Sequence, residues 1–381
     1  MVEYRNQHYV PEFLLEGWAT EGRVVTLHFE SGHEEPSQSI SDICSRNYLY
    51  TLPHDTALEE ELGNLEGRQA VPIKTLRKGG TPEDLSTQDM QALCSFIFTQ
   101  RLRTRVYRGE LLESGDQVYD IPLRRDFESL LDRTSSLSLD EKTYSAVRDG
   151  KIKAMARELQ NYLMMHGFLG LVLRDLDIVL AVNKTEEQFV CSDAPVVFDN
   201  IRFKHEREQY YPGAANRGFL AYCPISPNKY LILYDPFVYE FEYDTERRIQ
   251  ITDVSTAQLL NQMQVMNAGD IAVYASTPFR EKLLEMDERA QDFRRYETIP
   301  KQIETSFERI EYEIPPSQPL PDSENPFQMM HVNQGISFSK RRSPKLSKAS
   351  EKIVHELLDD SESTAGAAIR AIGIALEQFG Q

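Results

Sequence analysis

The chain has 381 residues, of which 40% are hydrophobic and 10% aromatic, so it can bury a sizeable core, and wholesale disorder is excluded. Its formal net charge of −18 excludes a general attraction to nucleic acid or to anionic membranes. A binding site for a polyanion would therefore have to be a local basic patch.

The N-terminal segment combines a histidine, a proline and a run of apolar residues. Residues 6–15 read Asn-Gln-His-Tyr-Val-Pro-Glu-Phe-Leu-Leu, with His8 three residues before Pro11. Because the residue before a proline favours extended backbone, this segment is expected to enter the folded core in a rigid extended form. A single histidine is more often a hydrogen-bonded structural residue than a catalytic one, and both roles stay open for His8.

Hydrophobic periodicity predicts helices mainly in the first half of the chain and strands mainly in the second. Helices are predicted over residues 56–70, from the capping box at 86–89 to about 113, and over 126–133, 140–165, 254–268 and 279–292. Strands are predicted over residues 23–30, 177–182, 188–191, 219–223, 229–234 and 271–275, with a strand or ordered loop over 43–52.

These elements predict an α+β fold with a predominantly helical N-terminal half, a small antiparallel sheet and a helical C-terminal tail. Residues 1–300 are expected to form one domain. Residues 301–348 are rich in proline and contain a basic run, which is typical of a linker or arm, and residues 349–381 have the pattern of an amphipathic helix.

The cysteines and the apolar segments bear on the cellular compartment. The four cysteines are widely spaced with no Cys-x-x-Cys pair, which argues against a zinc ribbon and a disulfide framework. The N-terminus lacks the apolar region of a signal peptide, and charged residues interrupt the most apolar stretch, 168–182. We therefore expect a cytoplasmic protein without membrane contact.

Two helices carry candidate polar residues. Glu59 and Glu66 lie seven residues apart on the first, where they could bind a metal or simply face solvent. On the second, Gln100 and Arg103 continue the apolar stripe of Phe96. Polar groups on an apolar stripe cost free energy unless they are paired, so Arg103 should contact a carboxylate of this chain or an anionic ligand.

The same helix also contains a basic cluster in an otherwise acidic chain. Its members are Arg101, Arg103, Arg105 and Arg108. These arginines could contact the phosphates of a nucleic acid or pair with nearby acids, and the sequence leaves both alternatives open.

Asp193 lies in the segment Cys-Ser-Asp-Ala-Pro at the end of a predicted strand. An aspartate before a tight turn usually accepts hydrogen bonds from backbone N–H groups, but strand ends also supply active-site carboxylates. The chain contains no glycine-rich phosphate loop, no His-Glu-x-x-His and no Gly-x-Ser-x-Gly motif, so P-loop hydrolases, zincins and α/β-hydrolases are unsupported.

The opening segment resembles the start of a prokaryotic family of unknown function that begins with Asn-His-Tyr-Val-Pro. The acidic helix with Glu66, the Gln-x-x-Arg pair Gln100 and Arg103, and the Ser-Asp-x-Pro turn with Asp193 resemble later motifs of the family in the expected order. The resemblance covers roughly residues 4–280. It implies no settled activity, but it selects His8, Glu66, Gln100, Arg103 and Asp193 from distant parts of the chain.

The leading hypothesis is a hydrolase, in particular a nuclease, acting on a phosphodiester or another anionic substrate. His8 would act as general acid or base, and Glu66 and Asp193 would orient water or hold Mg²⁺ or Mn²⁺. Gln100 and Arg103 would stabilise a developing anion.

The alternative is a non-enzymatic interaction module, so the sequence leaves open whether the protein is an enzyme. The same polar residues would then form a structural network, and a basic arm would bind a partner or nucleic acid. The basic residues of that arm are Lys340, Arg341 and Arg342.

Overall fold

The structure is a computed structural model that describes residues 6–47, 57–104, 173–203, 214, 216–276, 279–294, 327 and 330–339. The helices predicted over residues 126–133, 140–165 and 349–381 lie outside the described residues, as does most of the arm over 301–348.

Short strands and few helices make up this part of the chain. The strands are β1 (Asn6–His8), β2 (Arg23–His28), β3 (His33–Ser39), β4 (Ser45–Asn47), β5 (Asp177–Asn183), β6 (Cys191–Ser192), β7 (Val197–Asp199), β8 (Leu220–Ser226), β9 (Lys229–Tyr234), β10 (Tyr239–Phe241), β11 (Arg248–Ile251), β12 (Ile271–Tyr274) and β13 (Met330–Val332). The helices are α1 (Glu12–Leu15), α2 (Ala57–Arg77), α3 (Thr87–Arg103), α4 (Val254–Asn267) and α5 (Arg280–Arg294), with a 3₁₀ turn at Pro82–Asp84.

The described strands form four sheets. The largest has five strands in the order β11-β5-β9-β8-β7, in which β11 runs parallel to β5 and the other pairs are antiparallel. A four-stranded antiparallel sheet has the order β3-β2-β12-β6. The pairs β1-β4 and β10-β13 form two-stranded antiparallel sheets.

The predicted fold class is wrong. Four sheets with few helices organise the described residues, instead of a predominantly helical N-terminal half, a small antiparallel sheet and a helical C-terminal tail. Residues 6–47 alone contain four strands. Strand β3 reads His-Glu-Glu-Pro-Ser-Gln-Ser, with no fully buried side chain, because it lies at a sheet edge where proline is tolerated. Hydrophobic alternation therefore cannot reveal it.

Helix α1 and the residues that follow it lie in a hydrophobic core. Phe13, Leu14, Leu15 and Trp18 are buried there with side chains of α2, α3 and the five-stranded sheet. The indole Nε1 of Trp18 donates a hydrogen bond to the carbonyl oxygen of Phe189 at 2.8 Å. The opening segment is therefore docked, as its sequence predicts, and this docking fixes the position of the preceding strand β1.

Gly17 permits this docking because it lies against the backbone of Ile225. A Cβ atom at Gly17 would lie 2.4 Å from the Ile225 carbonyl oxygen. We expect Gly17→Ala to lower the free energy of unfolding by about 1–3 kcal/mol, because the backbone must shift to relieve the clash. The control is Gly67→Ala in α2, where a Cβ would meet open space. Alanine is expected to raise stability there by about 1 kcal/mol, and urea denaturation should give opposite signs.

The chain's four cysteines are all buried and form no disulfide. Burial raises the pKa of the Cys191 and Cys223 thiols, so the reactive thiolate is disfavoured at both. We expect intact-mass measurements to find no carbamidomethyl groups on the native protein after iodoacetamide treatment. The urea-unfolded protein should carry one on each cysteine. Labelling of the native protein would contradict the observed burial.

Candidate functional site

Strand β1 carries the histidine of the opening motif on an extended backbone. It pairs with β4, so that His8 lies opposite Ser45. The next backbone N–H, that of Tyr9, donates to the carbonyl oxygen of Cys44 at 2.8 Å. Pro11 then adopts φ −68° and ψ 145° directly before α1. The motif is thus held on one side by a short sheet and on the other by a buried helical turn.

Two polar side chains of α3 bind the backbone of this motif. The amide Nε2 of Gln100 donates to the Tyr9 carbonyl oxygen at 2.8 Å, and the Arg103 guanidinium donates to the His8 carbonyl oxygen. Gln100 is 1% exposed and Arg103 is 2% exposed. Their spacing of three residues places them on one face of α3, and the main-chain carbonyls satisfy the polar groups that the apolar stripe brings inside.

Arg103 also pairs with the carboxylate predicted from the acidic helix. Its Nη2 atom lies 2.6 Å from Glu66 Oε1 on α2. The side chain of Arg103 is 3% exposed and that of Glu66 is 28% exposed, so Glu66 covers the guanidinium from the solvent side. We call Glu66, Gln100, Arg103 and the carbonyls of His8 and Tyr9 the Arg103 network.

The imidazole of His8 lies beside the helical turn that follows β1. Its side chain is 16% exposed, and Nε2 lies 3.6 Å from the Glu12 carboxylate on the following helical turn. That distance is too long for a hydrogen bond but lies within ion-pair range for a protonated imidazole. Nε2 itself is buried, and a histidine next to a carboxylate is an arrangement that general acid–base catalysis uses.

The hydrogen bonds shown for the Asp193 side chain are made with the segment between α4 and β12. Its carboxylate accepts hydrogen bonds from the backbone N–H groups of Gly269 at 2.7 Å and Asp270 at 3.1 Å, and its own N–H donates to the carbonyl of Ile271. These residues join α4 to β12, so Asp193 holds a turn together. Four of the five selected residues thus lie in direct contact or along one strand, whereas Asp193 binds a different loop.

Arg101 links α3 to the loop that contains Asp193. Its Nη1 atom donates to Asn267 Oδ1 at 2.9 Å, and the Asn267 amide donates to the carbonyls of Ala194 and Val196. The guanidinium also lies 5.5 Å from the centre of the Phe198 ring. Arg101 is therefore occupied by contacts within the chain, while Arg105 and Arg108 of the predicted basic cluster lie outside the described residues.

A comparison against known families tests the resemblance as a whole. A family described as a protein of unknown function, DUF4238, matches residues 6–278, more than half of the chain. The chain belongs to the DUF4238 family. This confirms the resemblance inferred over residues 4–280. No curated protein and no solved structure matches the chain. The DUF4238 region begins at the first residue of β1, so it contains both the Arg103 network and the Asp193 turn.

Gln69, which is not predicted from the sequence, joins α2 to α3 in the DUF4238 region through a separate pair of hydrogen bonds. Its Nε2 lies 3.1 Å from Ser95 Oγ and 3.4 Å from Thr99 Oγ1. The sequence gives only a weak indication of these contacts. Gln69 lies three residues after Glu66 on α2, and Ser95 and Thr99 lie four residues apart on α3. The buried oxygens Oε1 of Gln69 and Gln100 have no hydrogen-bond partner within the described part of the chain. Unsatisfied buried acceptors cost about 1–3 kcal/mol each.

A second histidine–carboxylate pair is present that the sequence does not predict. His28 Nδ1 lies 2.8 Å from Asp270 Oδ2, and the other carboxylate oxygen of Asp270 accepts the backbone N–H of Glu30. The two partners are 242 residues apart in sequence. No local pattern connects them, and only the pairing of β2 with β12 brings them together.

The predicted metal ligands do not converge. Glu66 binds Arg103, while Asp193 accepts two backbone N–H groups from another loop. Within the described ranges, no group of three or more His, Cys, Asp or Glu residues could hold a metal ion. None of the described helices is long and apolar enough to cross a bilayer.

Proposed function

We propose that this DUF4238 protein is a hydrolase of anionic substrates, phosphodiesters being the leading class, with its site where β1, α2 and α3 meet. The observation that supports the proposal is the convergence of the motif residues. Gln100 and Arg103 on α3 bind the carbonyls of Tyr9 and His8, and Glu66 on α2 pairs with Arg103. The Arg103 network thereby fixes the backbone of His8, whose imidazole Nε2 is buried beside the Glu12 carboxylate.

In this proposal His8 transfers the proton. As a base it would take a proton from an attacking water, and as an acid it would give one to the leaving oxygen. The carboxylate of Glu12, 3.6 Å from Nε2, would stabilise the imidazolium that forms in between. Gln100 acts as a positioning residue, because its amide binds the backbone of Tyr9 and holds the strand that carries the imidazole.

Arg103 and Glu66 together would recognise the negative charge of the substrate. Glu66 covers Arg103 from the solvent side, so an anionic substrate would compete with this carboxylate for the guanidinium. Asp193 has no part in proton transfer here. Its described contacts hold the turn between α4 and β12.

The test is hydrolysis of bis(p-nitrophenyl) phosphate, single-stranded DNA and RNA by the full-length protein, with and without Mg²⁺ or Mn²⁺. We expect His8→Gln to lower kcat by at least about 100-fold, the usual contribution of a general acid or base, without changing the melting temperature. Glu66→Gln is expected to lower KM, because the neutral amide competes less with the substrate for Arg103.

The matched control is His331→Gln. His331 Nε2 lies 2.9 Å from the Glu242 carboxylate, and both side chains are exposed on another sheet. This variant should keep wild-type activity. Hydrolysis at the same rate by the wild type and His8→Gln, or no hydrolysis of any of these substrates, would contradict the proposal.

A non-enzymatic interaction module is the second candidate, and a specific observation favours it. The polar groups of Gln100 and Asp193 bind main-chain atoms, as expected of a structural network. In that case the basic arm would act on the partner. Replacing Lys340, Arg341 and Arg342 with glutamine in the full chain should abolish retention on single-stranded DNA or RNA, whereas a hydrolase would keep its activity.

We also propose a cytoplasmic location. The absence of disulfides among the four buried cysteines supports it, because thiols persist in reducing compartments. Fractionation of cells that express the full chain would test this location.

A further inference from the structure

A cleft of about 190 Å³ lies between the end of α2 and the edge of the five-stranded sheet. Its walls carry three basic side chains, Lys184, Lys229 and Arg248, together with Gln250 and a single acid, Asp244. The chain as a whole has a net charge of −18, so this concave basic patch differs in sign from its surroundings. It is the kind of local site that an anion would need in this protein.

Two of the cations are held at the cleft wall by backbone carbonyls. Lys229 Nζ donates to the carbonyls of Leu76 at 2.7 Å and Arg77 at 3.0 Å, at the end of α2. Arg248 Nη2 donates to the carbonyl of Gly79 at 2.8 Å, and its Nη1 forms an ion pair with the Glu246 carboxylate. An ammonium group has three N–H donors and a guanidinium has five, so both side chains keep donors for a ligand.

The third cation, Lys184, makes no such side-chain hydrogen bond to a backbone carbonyl within the described part of the chain. Its side chain is exposed, and its ammonium group contacts no acid among the residues that the structure describes. The carboxylate of Asp244 accepts the backbone N–H groups of Glu246 and Arg248, both at 2.9 Å, so the turn already occupies it. Burial lowers the pKa of Lys229, and the nearby charge of Arg248 lowers it further.

We propose that this cleft binds a phosphate group, as inorganic phosphate or as the phosphoryl group of a nucleotide. The donors of Lys184, Lys229, Arg248 and Gln250 come from three separate strand or loop segments, which suits a tetrahedral anion with several acceptor oxygens. The cleft lies about 16 Å along α2 from Glu66, so the inference does not rest on the hydrolase proposal.

The test is isothermal titration of the full-length protein at constant ionic strength. Inorganic phosphate, AMP and adenosine are the three probes. We expect saturable 1:1 binding of phosphate or AMP and no binding of adenosine. Tighter binding of AMP than of phosphate would identify a nucleotide phosphoryl group as the ligand, and the reverse order would identify free phosphate.

The variant Lys184→Gln should raise Kd for the anion at least about tenfold, as expected when one charge-assisted hydrogen bond is lost. Because Lys184 is exposed, this variant should melt like the wild type. The matched control, Lys74→Gln, removes a half-exposed lysine of α2 that pairs with Glu16 at 2.9 Å. It should bind the anion normally. The absence of saturable binding, binding of adenosine, or equal weakening in both variants would overturn the proposal.

Discussion

Arg103→Ala is expected to lower the free energy of unfolding by about 3 kcal/mol. The substitution removes the 2.6 Å ion pair with Glu66 and the hydrogen bond to the His8 carbonyl, which leaves a carboxylate and a carbonyl without their partner. Breaking a buried ion pair costs about 3–5 kcal/mol, and the lower end applies because Glu66 is 28% exposed and can regain water. Urea denaturation followed by far-ultraviolet circular dichroism measures the loss.

Lys74→Ala is the control for this prediction. Lys74 pairs with Glu16 at 2.9 Å, but both side chains are more than 40% exposed. Surface ion pairs contribute about 0–1 kcal/mol, so the control should lose little stability. A similar small loss in Arg103→Ala would mean that the Arg103 network does not hold β1 in place, and the positioning argument for His8 would fail with it.

Local patterns in the sequence predict the elements that carry the candidate site. The capping box that begins α3 is confirmed: Ser86 Oγ accepts the backbone N–H of Asp89 at 3.2 Å, and the Asp89 carboxylate accepts the backbone N–H of Ser86 at 3.0 Å. The apolar stripe of α3 also predicts that Gln100 and Arg103 are buried and need partners. Both inferences depend on residues within two turns of one helix, where spacing determines which side chains share a face.

Such local patterns do not predict which groups these side chains bind. Gln100 binds a carbonyl 91 residues away, and the pair of His28 with Asp270 spans 242 residues. Main-chain carbonyls are present at every residue, so no side-chain pattern marks the ones that Gln100 and Arg103 select. Only the pairing of β1 with β4 and the packing of α3 place them within reach.

The fold prediction failed for a related reason. Strand β11 was not predicted, because its four residues gain their stability from parallel pairing with β5, a contact between segments about 70 residues apart. Strand β3 is polar and lies at a sheet edge. Periodicity reports burial on one face, so it misses strands that are short, exposed or defined by a distant partner.

Asp193→Ala is expected to lower the free energy of unfolding by about 2–6 kcal/mol. The carboxylate is 1% exposed and accepts the N–H groups of Gly269, which is exposed, and Asp270, which is half-buried, so its removal breaks two hydrogen bonds to a charged acceptor at about 1–3 kcal/mol each. Asp193→Asn keeps one acceptor oxygen but places an amide N–H₂ against the other backbone N–H, so it should also lose stability. Urea denaturation of the wild type and both variants gives the comparison.

The control variant Asp253→Ala tests whether burial of the carboxylate, and not only the number of its hydrogen bonds, determines the loss of stability. Asp253 also accepts two backbone N–H groups, those of Ser255 and Thr256 at the start of α4, but it lies at the surface. Water can replace the Asp253 carboxylate there, so the loss of stability should be clearly smaller than for Asp193→Ala.

An active-site carboxylate would give a different result, because removing a strained catalytic group often leaves stability unchanged or raises it. Unchanged or increased stability in Asp193→Ala would therefore reassign Asp193 to the reacting groups, whereas a large loss would leave His8 and Glu12 as the groups available for proton transfer at this site.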